Sequence, residues 1–196
     1  MASITRATHP IPAATISTSE ADALAQPGVA ESFRLLALNV LQLLPDRQRR
    51  SILIVSAQDR DGRSFTAGLL ALALFEIAPP VLLVDGDPLG AGGLHRFLTS
   101  GKLRLAEPGR AGTGTQTEFV AQTRRVMAEA EAAGFTVVVD TPACTRSSVA
   151  FSLANAVGGV LYVARRRAQD PAVHHDVRAQ LDLLDAKVLG VVFHEA

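Results

Sequence analysis

The sequence has no tryptophan, a single tyrosine (Tyr162) and a single cysteine (Cys144). One cysteine excludes an intrachain disulfide and fits a reducing compartment. Basic and acidic residues balance to a formal net charge of zero. That balance argues against a general nucleic-acid-binding surface. No apolar run approaches the ~20 residues of a membrane span, so direct membrane insertion is not expected. The first residues lack the apolar stretch of a secretion signal, and a cytoplasmic location is the expectation. What is abundant is apolar: 48% of the 196 residues are hydrophobic, enough for one domain with a sizeable core.

Residues 1–28 are rich in Ala, Ser, Thr and Pro without an apolar period and read as a disordered lead. The domain is expected over 29–196. Residues 29–44 carry Phe33, Leu36, Val40, Leu41 and Leu44 at helical spacing, and Pro45 ends the run. The apolar, β-branched runs 52–55, 81–84, 135–139, 159–164 and 188–193 read as buried strands. Helices are expected at 65–77, 94–98, 116–133, 147–156 and 171–184, and a loop over 99–115. Strands alternating with helices argue for a three-layer α/β domain with a mostly parallel sheet. The polar loops that follow the strands then collect at one sheet edge, where ligands bind in such folds.

One strand–loop–helix stretch organises the rest. Residues 51–66 read SILIVSAQDRDGRSFT. The layout matches a phosphate-binding P-loop, G-x-x-x-x-G-K-[ST], with Gly62 and Ser64 in place, Ala57 at the first glycine and Arg63 at the lysine. Asp59 and Asp61 stand where backbone N–H groups would face phosphates.

The order of the motifs resembles the cytoplasmic domain of bacterial tyrosine kinases (BY-kinases) of capsule and exopolysaccharide systems. These are P-loop proteins related to the partitioning and division-site ATPases. Glu31, Arg34 and Asn39 are similar to the family's opening E-x-x-R helix and the asparagine that follows it. Residues 51–67 resemble its strand and P-loop, 81–87 its V-L-L-V-D-x-D, 137–143 its D-T-P-P strand and 187–194 its closing K-V-L-G-V-V-x-N. The resemblance implies a P-loop NTPase-like fold and a nucleotide site at Gly62, Arg63, Ser64, Phe65 and His194. It implies catalytic carboxylates at Asp85 and Asp87, Mg²⁺ held by Ser64, Asp85 and Asp140, and an oligomer contact at Glu31 and Arg34. It also implies a membrane polysaccharide chain-length or export protein as partner, and hence a place at the inner face of the membrane.

The departures from the family pattern fall on the chemistry. Arginine replaces the lysine, Arg60 stands at a loop glycine, Phe65 at a threonine, His194 at the asparagine and Ala37 at the third member of the E-x-x-R-x-x-R series. The family's tyrosine cluster is absent. The expectation is therefore an accessory protein of polysaccharide synthesis or export with a degenerate site, little or no catalysis, weak ATP and Mg²⁺ binding, and self-association open. The alternative is a working ATPase or protein kinase that uses Arg63 as its lysine. Arg63 is expected to face Asp85, Asp87 and Asp140 as their resident cation, with Arg60 pointing outward. Away from the site, His174 and His175 read as a solvated helix face, His95 as a packing residue and Cys144 as a small buried filler. Residues 47–50 read as a basic solvated turn, and the run 165–167 equally as a phosphate or partner contact or an exposed stretch.

Overall fold

The computed structural model describes residues 27–44, 49–88, 93–108, 114–166 and 170–194. The expected N-terminal lead and parts of the loops at 45–48, 89–92, 109–113 and 167–169 lie outside the described residues. The elements in order are α1 (Pro27–Leu43), β1 (Ser51–Ser56), α2 (Arg63–Ile77), β2 (Val81–Asp85), a 3₁₀ helix (His95–Ser100), β3 (Arg104–Ala106), α3 (Gln116–Ala132), β4 (Thr136–Asp140), α4 (Val149–Leu153), β5 (Gly159–Arg165), α5 (Pro171–Leu183) and β6 (Val188–His194). Every strand pair is parallel, in the order β3-β2-β4-β1-β5-β6.

Alternate residues of the central strands feed two separate cores, as a two-residue period requires. Ile52, Ile54, Leu83, Val138, Leu161 and Val163 pack with α1 and α2. Leu53, Val55, Val84, Val137, Val139 and Val160 pack with α3, α4 and α5 on the other face. The three-layer α/β expectation holds. Helix α2 is apolar around nearly its whole circumference because it lies between the sheet and α1. Position 37 is buried between Leu36 and Val40 on α1, so Ala37 belongs to the core rather than to the exposed face that carries Glu31 and Arg34.

One element was missed. The expected loop 99–115 contains β3, which pairs with β2 in the register Leu82–Arg104, Leu83–Leu105 and Val84–Ala106. Three residues are too few for a periodic signal, and the strand is held by its neighbour and by Leu103 in the core. From β1 the chain crosses to β2 on one side, and from β4 it crosses to β5 on the other. The C-terminal ends of β1 and β4 therefore meet at a switch point of the sheet.

Candidate nucleotide site

Strand β1 ends at Ser56, and the loop 57–62 carries the chain into α2. Gly62 begins the helix with φ 91°, a left-handed conformation that favours glycine. A Cβ there would also meet the His194 ring at 2.8 Å. Arg60 takes φ 67° without being glycine. Its carbonyl accepts from Arg165 Nε at 2.8 Å and Nη2 at 2.6 Å, so the first arginine of the 165–167 run braces the loop crest. The Arg60 side chain is exposed, as expected.

Both loop acids are engaged by the protein itself. Asp61 is buried and its Oδ2 accepts the Gln58 backbone N–H at 2.9 Å. That amide is taken by a carboxylate of the loop. Asp59 is exposed and stands near two guanidinium groups, Arg63 at 3.7 Å and Arg146 at 3.9 Å.

Arg63 does not do what the sequence led us to expect. Its side chain is buried, and Nε donates to Thr141 O at 2.7 Å. Nη1 donates to Ser56 Oγ at 2.5 Å and to Gln58 O at 3.1 Å. The guanidinium thus ties the end of β1, the loop and the residue after β4 together, with Asp59 as its ion-pair partner. It acts on Asp140 through space, as a nearby charge. The planar fork explains the difference: a guanidinium finds several fixed acceptors at once, where an ammonium would stand as a point charge. The cation that meets Asp87 directly is Arg146, which no motif marked. It is placed by the turn after β4, where Cys144 N and Thr145 N donate to Ser56 O and Ala57 O at 3.0 and 3.2 Å.

Asp85 and Asp140 are partners in the β2–β4 register and both are buried. Between their strand ends Gly86 N donates to Asp140 O at 2.8 Å. A Cβ on Gly86 would stand 2.4 Å from that same oxygen, so the close approach requires glycine. Asp85 Oδ1 accepts the Asp87 N–H at 3.1 Å. Burial pushes the Asp140 carboxyl up to about 6, helped by the charges of Asp85 and Asp87 and opposed by a Ser64 hydrogen bond and by Arg63. Its Oδ1 is buried without a hydrogen-bond partner.

Ser64, Asp85 and Asp140 are hard oxygen donors, and an unpartnered buried carboxylate oxygen among them suits Mg²⁺. Among the described residues no group of three or more His, Cys, Asp or Glu is placed to hold a metal alone. An ion here would draw its remaining ligands from Ser64, water and phosphate oxygens.

The other two expected nucleotide contacts are turned to packing. Phe65 is buried against Phe33, Phe97 and His194, with ring centroids 6.5, 6.5 and 5.7 Å apart. The side chain therefore belongs to the core. His194 lies over Gly62, and its Nε2 is 2.8 Å from Thr66 Oγ1. Burial, with the Arg165 charge, lowers its pKa and keeps the ring neutral. Outside the site two histidine readings are corrected. His174 is half-buried with Nδ1 2.9 Å from the Tyr162 hydroxyl, while only His175 is fully solvated. His95 is exposed and pairs with Glu107 at 3.0 Å rather than packing. Cys144 is half-buried, and burial pushes its thiol up to about 12, so it carries no thiolate at neutral pH.

Tyr162 is buried on β5, paired with His174, and its phenol is raised chiefly by burial. Incubation with ATP and Mg²⁺ is therefore expected to leave the intact mass unchanged. A phosphate mapped to Tyr162 would contradict this placement.

A strand–loop–helix turn at the sheet's switch point, with a serine on the helix and two aspartates on adjacent strand ends, marks a P-loop NTPase-like α/β fold. Within that class the chain has the fold of bacterial tyrosine kinase domains. It superposes on the kinase domain of the Escherichia coli tyrosine kinase ETK with a TM-score of 0.75 at 18% identity, covering 89% of this chain and 80% of that one. The chimerical protein CapA2B2 matches at 0.74 and 22%, covering 95% and 94%. The VpsO kinase domain matches at 0.70 and 19%, covering 90% and 96%. No family model and no curated protein sequence matches the chain. No helix of the described residues is long and apolar enough to cross a membrane.

Proposed function

We propose that this chain is a degenerate BY-kinase-like P-loop protein, an accessory component of capsule or exopolysaccharide synthesis and export with little or no catalysis. In this reading it is cytoplasmic and works at the inner face of the membrane through a membrane chain-length or export protein. Self-association would use the exposed face of α1, where Glu31 and Arg34 lie 4.0 Å apart. The polysaccharide setting and the partner rest on the motif resemblance. The weak chemistry rests on one observation: Arg63, at the position of the phosphate-binding lysine, spends its Nε and Nη1 donors on Thr141, Ser56 and Gln58.

The second reading, an active ATPase or protein kinase of the same system, is favoured by the retained Ser64, Asp85 and Asp140 set. Calorimetric titration with ATP, with and without Mg²⁺, separates the two. The first reading expects a Kd near or above about 1 mM, that is about −4 kcal/mol or weaker. A micromolar Kd that depends on Mg²⁺ would favour the second.

A further inference from the structure

We infer that Arg63 and Arg146 form an anion subsite for a diphosphate group, and that the chain's own Asp59 fills it. The inference deepens the weak-nucleotide reading above and rests on it for the ligand class. A single oxygen, Asp59 Oδ1, lies 3.7 Å from Arg63 Nη2 and 3.9 Å from Arg146 Nε. Two guanidinium groups within 4 Å of one acidic oxygen resemble the arrangement that recognises a phosphoryl oxygen.

The rest of the mouth supports the same picture. Asp61 occupies the Gln58 amide, the kind of loop N–H that a phosphate would otherwise take. Arg146 is half-exposed, whereas Arg63 is buried, so Arg146 is the more accessible of the two to an incoming anion. Asp87 also bonds Arg146, through Nη2, and keeps it at the mouth. Arg63 need not release its three acceptors, because the Nη2 facing Asp59 is not among the atoms that bond them. The loop thus carries its own counter-anion. An arriving phosphate must displace Asp59 and meets its negative charge while doing so.

The probes are inorganic pyrophosphate and ADP, titrated without divalent cations against four chains: the wild type, Asp59→Asn, Asp59→Asn with Arg146→Gln, and Asp176→Asn. Asp176 is an exposed acid on α5 rather than in the loop, so its variant controls for net charge. Asp59→Asn is expected to bind both probes ~10-fold tighter than the wild type, from removal of one partly screened charge facing the site. The double variant should return to the wild-type level, and Asp176→Asn should not differ from it. ADP bound tighter than pyrophosphate identifies a nucleoside diphosphate as the ligand, and equal binding an inorganic one. In both cases the subsite stands. No gain in Asp59→Asn, a gain that survives Arg146→Gln, or an equal gain in Asp176→Asn overturns it. Each result is a ratio to wild type. A wild type that binds ATP tightly would therefore sink the weak-nucleotide reading and still leave this comparison informative.

Discussion

Arg63→Ala is expected to lower the stability of the nucleotide-free protein by about 3 kcal/mol, or roughly 6–12 °C in Tm for a chain of this size. The side chain is buried and makes three hydrogen bonds that join β1, the loop and the segment after β4. Removing it leaves the Thr141 carbonyl and the Ser56 hydroxyl short of a donor in a buried place, and hydrogen bonds to a charged group are the costlier kind to lose. Reading Arg63 as the counter-ion of Asp85 would make Asp85→Asn rescue the loss. In the structure Arg63 hydrogen-bonds backbone and hydroxyl oxygens instead, and no rescue is expected. Thermal melting of Arg63→Ala, alone and with Asp85→Asn, checks both points. A single variant that melts like the wild type would contradict the bracing role. Recovery in the double variant would restore the counter-ion reading.

Asp140→Asn should do the opposite and stabilise the chain in the absence of divalent metal. The Asp140 carboxyl titrates at about 6 in the folded state against 3.8 for the free side chain, mainly because it is buried. A carboxyl raised on folding binds its proton more tightly in the native state, so its ionisation costs stability as pH climbs from the unfolded to the folded value. Below about pH 3 the group is protonated in the folded chain and largely so in the unfolded one, and the cost is absent. Above pH 6 the full cost applies, about 3 kcal/mol for a displacement of this size. Asparagine carries no charge to desolvate. The difference in unfolding free energy between Asp140→Asn and wild type, measured in chelator, should therefore be small near pH 4 and grow to about 3 kcal/mol in favour of the variant by pH 7. Taking the difference cancels the titration of the groups that do not interact with Asp140. A flat difference, or a less stable variant at pH 7, would show that Asp140 is not held as a strained buried anion.

The fold was legible because its signals are long and repetitive. The runs at β1, β2, β4 and β5 are apolar on both faces, as a sheet covered on both sides demands. Asp85 and Asp140 were legible as well, since an aspartate directly after an apolar run lands at a strand end whatever the loop does. The use of the site was not legible. A sequence shows that arginine stands at the lysine position, yet not that Thr141 O and Ser56 Oγ wait within reach of its fork. Arg146 had no motif around it, and only the docking of residues 144 and 145 against β1 brings it to Asp87. Phe65 read as a degraded ligand because the loop motif was matched position by position. Its direction is set by α2, whose third residue faces α1 and the core. His174 read as solvated because its partner, Tyr162, lies on another element.

The central claim is that a P-loop braced by Arg63 and carrying its own acids no longer turns ATP over. Phosphate release from ATP and Mg²⁺ by the wild type and by Arg63→Lys tests it most directly. The lysine variant is the informative one, because it restores the motif while Asp59, Arg60 and Asp61 stay in place. No release above the protein-free rate is expected from either chain, since Asp61 still holds the Gln58 amide and Asp59 still stands at the mouth. Sustained release by the wild type, or its appearance in Arg63→Lys, would contradict the account and make this chain a working enzyme.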